Sequence, residues 1–442
     1  MGISKSIFYT VISQFLVQFL GIVSGIFIAR MLGPGGKGVL AIFQANAQLF
    51  VSVFSLSMGN VVVYFIPSGK IKVEKILGMS MSVLAFAVIG IGITLFFIDS
   101  FSQLEKIFYP DSYNLFLYKI WIYLFSVFSI VNAISTGFLQ GYKKFNLINK
   151  IWIVNSSLNS SIFFILFLLN YKGYFHVNVQ IILYVLLLVT FINTILFVYP
   201  FFTQLKIKPS FHISKKEIAQ VWKYLLFTHL GIVVAILNIR LGLWVLNYYL
   251  DAKTIGLYSV AANLIVMFNM IPTAFGNVLM PYLSDFRNNR VNEMFYKYAR
   301  LNFSILLVSG VLGYFLAVVL IPILYGTSFT GSIILFRGLL LGVLFIGTNR
   351  LLAVYISSRN RQDYNFYASF LGLIFNVSVS FILVRYWGVY GVIFSTVFTY
   401  LFIWGIMSYF VHVRLKLPWE NYFIVNKQDI EDVIEKYKRR KF

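Results

Sequence analysis

The sequence predicts an all-α polytopic membrane protein of twelve transmembrane helices, arranged as two halves of six. Three observations predict it: the composition, the number of separate apolar runs, and a one-sided distribution of basic residues between those runs. Of 442 residues, 60% are hydrophobic and only 11% charged, where a soluble domain carries about 25% charged residues. No soluble packing hides that much apolar surface, because interior volume grows slowly relative to the exterior. A cytosolic enzyme, a secreted domain and a nucleic-acid binder are excluded. The absence of cysteine removes disulfide, iron–sulfur and thiol chemistry, and no metal or cofactor is expected.

A helical crossing needs about 20 apolar residues. The runs lie at 7–29, 39–65, 76–98, 120–139, 151–170, 179–200, 224–249, 256–279, 301–324, 333–356, 367–384 and 391–412. They are too long and too uniformly apolar for barrel strands. The first also exceeds the core of a signal peptide. With the N-terminus inside, inward segments hold 26 Lys and Arg and outward segments 7, while Arg240, Arg337 and Arg350 lie within runs. That bias predicts a multi-pass protein of the cell (inner or plasma) membrane with both termini cytoplasmic. It also accounts for the formal charge of +22 without nucleic acid. The expected domains are an N-terminal bundle at 1–200, a cytoplasmic linker at 201–223, a C-terminal bundle at 224–412 and a basic tail at 413–442. In the tail, Ile430, Val433, Ile434 and Tyr437 share a helical face, which reads either as an interfacial helix or as a solvated basic end.

The halves show traces of a repeat. A shift of 218 residues lays Leu32 over Leu250 and Gly38 over Gly256, and a shift of 219 lays Phe145-Asn146 over Tyr364-Asn365. Six spans per half preserve orientation, so the halves relate by an axis along the membrane normal.

The stretch from Ala29 through Leu32-Gly33-Pro34-Gly35-Gly36-Lys37-Gly38 to Ala41 resembles the first-loop signature of polysaccharide-export flippases of the O-antigen and capsule repeat-unit type. Gly256-Leu257-Tyr258-Ser259-Val260-Ala261, Pro272 and Pro281-Tyr282-Leu283-Ser284 resemble the same family, whose superfamily includes lipid II flippases and multidrug extruders. The resemblance implies two six-helix bundles around a central cavity. It further implies a monomer that carries a polyprenyl-pyrophosphate-linked oligosaccharide from the inner to the outer leaflet. The partners implied are that substrate, the surrounding lipids, and the glycosyltransferases and glycan polymerase of one pathway. Two departures stand out. Arg240-Leu241-Gly242 lacks the acid of the Arg-x-Asp pair common in span seven, and Ser24-Gly25 stands where lipid II flippases carry Arg-Asp.

All 14 acidic residues fall in the loops or tail, whereas arginines fall within the runs. A charge at a helix centre costs about 2.5–3.5 kcal/mol or more, so it needs a cavity or a partner. Without an intramembrane carboxylate, a bound anion is the natural partner, and arginine's planar fork suits phosphate oxygens. Arg350, Arg240 and Arg30 are therefore the expected inner, middle and outer contacts of a pyrophosphate. The alternative for Arg240 and Arg350 is snorkelling to headgroups; Arg337 reads as an outer-interface anchor.

Helical spacing puts His229, Ile236, Arg240 and Asn247 on one stripe of span seven. Gln14 and Gln18 share a face with Gly21 and Gly25 in span one, as do Gln44 and Gln48 with Ser55 and Gly59 in span two. Such amides either line a sugar path, donating to and accepting from hydroxyls, or glue helices together. A multidrug extruder should carry an acidic residue within a span, and none occurs there. A membrane-embedded glycan polymerase or ligase needs catalytic residues on a large outward loop. The largest here, 99–119, holds no histidine and no triad.

Overall fold

The computed structural model describes residues 3–110, 114–201, 203, 207–283, 291–420 and 422–424. Among the described residues all regular structure is helical. In chain order the α-helices are α1 (Ile3–Phe54), α2 (Met58–Ser68), α3 (Val73–Asp99), α4 (Ser102–Phe108) and α5 (Leu115–Gly141). They continue with α6 (Phe145–Tyr171), α7 (Val179–Pro200), α8 (Lys215–Tyr249), α9 (Ala252–Phe268) and α10 (Met270–Leu283). The last five are α11 (Val291–Tyr325), α12 (Ser332–Leu340), α13 (Val343–Ser358), α14 (Gln362–Trp387) and α15 (Val389–Tyr409).

Among the described residues ten segments are long and apolar enough to cross a bilayer, and the pair α12 and α13, bent by 45°, makes an eleventh. The twelfth lies inside α1, whose apolar stretch Ile12–Phe54 has 43 residues. At 1.5 Å per residue that is about 65 Å, twice the hydrocarbon thickness of about 30 Å. Gly33 divides it, with φ 64° and ψ −176°, a conformation that an L side chain resists. Pro34 then opens the second helix at the position where a missing N–H costs nothing. The chain reverses there. Before the turn, Phe27 packs on Phe164 and Phe167 near the end of α6. After it, Phe43 packs on Tyr118 and Phe125 near the start of α5, and Gly59 lies against Ala133 and Gly137 further along α5. Because α5 and α6 form a tight hairpin, the end of one and the start of the other share a level.

Span two thus begins at Pro34 rather than at residue 39. It is also broken: Leu56 and Ser57 have φ of 44° and 50°, and α2 resumes at Met58. Non-helical backbone at membrane depth is tolerated where protein buries it or a cavity meets it. Besides Glu105 in the short α4, five acids expected in loops, Glu74, Asp99, Glu217, Glu293 and Asp363, fall within the terminal turns of helices. The helices outrun their apolar centres at these ends, and four of these five acids sit in first turns, where the helix dipole favours them.

The chain divides into two compact units. The first is Met1–Gly256 with Leu324–Ser328, and the second is Leu257–Ile323 with Phe329–Phe442. Helix α8, which follows the segment 201–223, packs with α1, α2 and α4 in the first unit. Its opening turn is tied there by a capping box at Ser214 and Glu217 and by the Lys75–Glu217 ion pair at 2.8 Å. The interfacial helix expected at 430–437 lies outside the described residues.

In the first unit Phe43, Tyr118, Phe138 and Phe163 are buried in one core, while Phe96 is 72% exposed, as a lipid-facing side chain is. The two repeat-matched glycines meet: a Cβ on Gly38 would stand 1.8 Å from the Ala252 carbonyl oxygen, and one on Gly256 would stand 1.8 Å from that of Pro34. Each residue of this crossing, Pro34 with Ala252 and Gly38 with Gly256, is the other's counterpart at the 218-residue shift. In the second unit Phe295, Tyr296, Tyr355 and Tyr422 anchor the core. An apolar groove of about 800 Å³ runs between α11, α12 and α15, with Arg337 on its wall.

Candidate functional site

The polar stripe of α8 faces the polar stripe of span two, within the first unit. The Arg240 Nε donates to Gln48 Oε1 at 2.7 Å, and His229 Nδ1 shares a hydrogen bond of 3.2 Å with Ser57 Oγ at the helix break. Between these two contacts Ile232 and Ile236 of α8 line a cavity of about 480 Å³. Its other walls carry the amides Gln48, Asn60, Asn132, Gln140 and Asn193 and the hydroxyls Ser52, Ser55, Ser57 and Thr136. Among the described residues no charged side chain lines it. The amide oxygens of Asn132 and Asn193 are buried and accept no hydrogen bond among the described residues. Such oxygens lose their hydration without compensation, at a cost of about 1–3 kcal/mol each, unless a donor enters the cavity.

Arg240 stands nine residues before the end of α8, about 14 Å along its axis. Gln48 gives it a charge-assisted hydrogen bond and an orientation. Beyond it, Trp244 Nε1 donates to Asn46 Oδ1 at 2.8 Å. Asn247 Nδ2 reaches the carbonyls of Lys106, Ile107 and Tyr109, each at 3.0 Å. These contacts seat α4 against α8, so Asn247, expected to line the cavity, serves here as a strut that satisfies the open carbonyls at the end of a short helix.

The other expected site residues are dispersed. Arg30 is exposed, and its Nε donates to the Leu324 carbonyl at 2.8 Å, a backbone tie at the Gly33 turn. Arg350 is exposed in the second unit, its Nε 3.9 Å from where a Cβ on Gly276 would stand. Gln44 lies half-buried on the same face of α1 as Gln48, seven and eleven residues after Lys37. Gln14 and Gln18 are exposed on the first part of α1 and make no side-chain hydrogen bond among the described residues. Arg337 donates from Nε to the Tyr314 carbonyl at 3.0 Å and lies over that tyrosine's ring at 4.3 Å.

Several cavity residues escaped the sequence reading. Asn132, Thr136 and Gln140 recur every fourth residue along the apolar α5, a helical stripe visible in principle. Asn193 stands without such a pattern. Ser57 depends on a helix break that no glycine or proline announces. Outside the spans, the Lys75 ammonium and the Ser214 hydrogen bonds hold Glu217 well below the usual carboxylate range, at about 2. Asp251, which accepts from the Thr254 amide at 3.1 Å, is likewise lowered by Thr254. The charged forms of both therefore fasten helix starts on either side of the stripe.

The fold is that of known membrane transporters. A multidrug-resistance MATE family transporter of the MOP superfamily, in an inward-facing conformation, superposes with a TM-score of 0.73 at 14% identity, over 91% of this chain and 94% of its own. The lipid II flippase MurJ, inward closed, gives 0.73 at 16% identity over 94% of each chain. An outward-facing MATE transporter gives 0.63 at 16%, over 93% of this chain and 95% of its own. No curated protein matches the sequence. Residues 3–287 match the family described as polysaccharide biosynthesis protein. The chain belongs to that polysaccharide biosynthesis family.

Proposed function

We propose that the protein is a flippase that moves a polyprenyl-pyrophosphate-linked oligosaccharide repeat unit from the inner to the outer leaflet for surface polysaccharide assembly. The observation that carries this reading is Arg240, held by a neutral amide above a cavity lined with uncharged hydrogen-bonding groups. A sugar presents hydroxyls that both donate and accept, as amides and serines do, and a diphosphate presents oxygens that suit the planar fork of a guanidinium. Described carboxylates lie only at helix ends or in loops, an arrangement that favours an anionic substrate over a cationic drug. Arg30 and Arg350 remain proposed contacts for the diphosphate along its path. Gln44 and Gln48 belong to the proposed sugar wall with His229, whereas Gln14 and Gln18 face the same substrate only in another conformation.

The membrane potential, negative inside, favours outward movement of an anion by about 2.3 kcal/mol per charge per 100 mV. A cycle driven this way needs no intramembrane carboxylate. The test is deletion followed by lipid extraction: cells without the protein should trap a lipid-linked glycan in the inner leaflet. The intact chain should clear it and an Arg240→Ala chain should not, although both reach the membrane. Full clearance by the Arg240→Ala chain would remove that residue from the site.

A further inference from the structure

Resting on the flippase reading above, we propose that the cavity of the first unit takes an N-acetylated sugar, and that its unspent carboxamides select that sugar over one bearing hydroxyls alone. Four such carboxamides line the cavity: Asn60 on α2, Asn132 and Gln140 on α5, and Asn193 on α7. None of their side chains makes a hydrogen bond among the described residues. Two of the hydroxyls beside them are already engaged. Ser52 Oγ donates to the Leu49 carbonyl at 2.8 Å, and Ser57 Oγ is shared with His229. Packing fixes where the amides stand. A Cβ on Gly59 would lie 2.9 Å from the Ala133 carbonyl oxygen, and one on Gly137 would lie 2.6 Å from that of Gly59. Helices α2 and α5 therefore meet backbone to backbone beside Asn60. Phe128 of α5 rests on Phe191 of α7 with ring centres 5.3 Å apart, one turn before Asn132 and two residues before Asn193.

The chemistry of that wall matches an acetamido group. A secondary amide is planar and trans, so its N–H and C=O point away from each other. It needs an acceptor on one side and a donor on the other. A carboxamide side chain offers either, because its last bond has two broad and nearly equivalent settings. Separate carboxamides on α5 and α7 thus meet both ends of one acetamido group, where a hydroxyl engages only one direction. The acetyl methyl needs apolar surface, and Val51, Phe197, Ile232 and Ile236 supply it in the same cavity. Without a charged side chain among the described lining residues, nothing there favours an acidic or an amino sugar. The volume of about 480 Å³ is low in the range of ligand pockets, about 300–1,000 Å³, and suits a short piece of glycan. Gln48 lines this cavity and also accepts from Arg240, so the sugar taken is the one next to the diphosphate.

The test uses the full-length protein in nanodiscs of zwitterionic lipid, with polyprenyl pyrophosphate carrying a single N-acetylglucosamine or a single glucose as probes. The intact protein should bind the N-acetylglucosamine lipid about tenfold or more tightly than the glucose lipid. Asn132→Ala and Asn193→Ala should each bring that ratio close to unity, because the acetamido group loses a partner that a hydroxyl does not need. A merely structural role would lower both affinities alike and keep the ratio. Asn193→Leu, close in size to the native side chain, reads the same ratio where the alanine variant melts early. Equal affinity of the intact protein for the two glycolipids overturns the proposal and leaves the flippase reading standing. A preference that survives unchanged in all three variants overturns it as well, because the selection then lies elsewhere. Binding of neither glycolipid brings down the flippase reading together with the proposal.

Discussion

Arg240 and Arg337 are both arginines within apolar helices, yet their surroundings differ in kind. Arg337 stacks on the Tyr314 ring and bonds that residue's carbonyl, on the wall of a groove otherwise lined by leucine, valine, isoleucine, glycine and aromatic side chains. A cation over an aromatic face gains about 0.5–2 kcal/mol, so this arginine is settled by its own protein. Arg240 donates to the neutral amide of Gln48, which itself lines a cavity of amides and hydroxyls. The lesson is that a charge inside a membrane span points to function through its partners, not through its presence.

The sharpest way to break this contrast is to remove each arginine in turn. Arg240→Ala should abolish surface polysaccharide, whereas Arg337→Ala should retain most of it at equal protein levels, measured by surface glycan staining. Equal loss in both would erase the distinction.

Next in size is the scaffold beneath the site. Gly38→Ala and Gly256→Ala each drive a methyl group into a backbone carbonyl and should cost about 3 kcal/mol or more. Both should lower the detergent melting temperature, and by similar amounts, because the crossing is mutual. A large asymmetry would show that one side gives way.

A smaller effect should separate binding from stability. Replacing Asn132 and Asn193 together by leucine removes two buried oxygens that accept no hydrogen bond among the described residues. The double variant should melt at the same or a higher temperature and export several-fold less. Undiminished export would make the cavity a packing defect.

The smallest effect is one of pH. Glu217 sits at about 2, below its ordinary 4.5, so the stability it contributes is present above pH 4.5 and is lost as pH falls from there toward 2. Glu217→Gln should flatten that part of the melting-temperature profile, while the profile of the cavity variant should keep it.

Much of this was legible in the chain. Apolar run length and basic-residue bias gave the twelve spans, and helical spacing aligned His229 with Arg240 and Gln44 with Gln48. What spacing alone could not supply is which stripes meet. That Arg240 finds Gln48 is a tertiary fact, as is the commitment of Asn247 to three carbonyls. The burial of Lys37 was hidden by an ordinary rule: after Gly-Pro-Gly-Gly a lysine reads as loop. Yet Pro34 starts a helix rather than a loop, so the stripe of Gln44 and Gln48 extends back one further step. The break at Ser57 carries no such signal, because Leu56 and Ser57 adopt positive φ without glycine.

Transfer across a sealed vesicle tests the central claim most directly. Purified protein would be reconstituted with a fluorescent polyprenyl-pyrophosphate disaccharide, and its movement followed by quenching from the far side. We expect transfer that quickens with a potential of the correct sign and is blocked by excess polyprenyl pyrophosphate but not by a cationic dye. Transport of the dye with the glycolipid left in place would contradict the account.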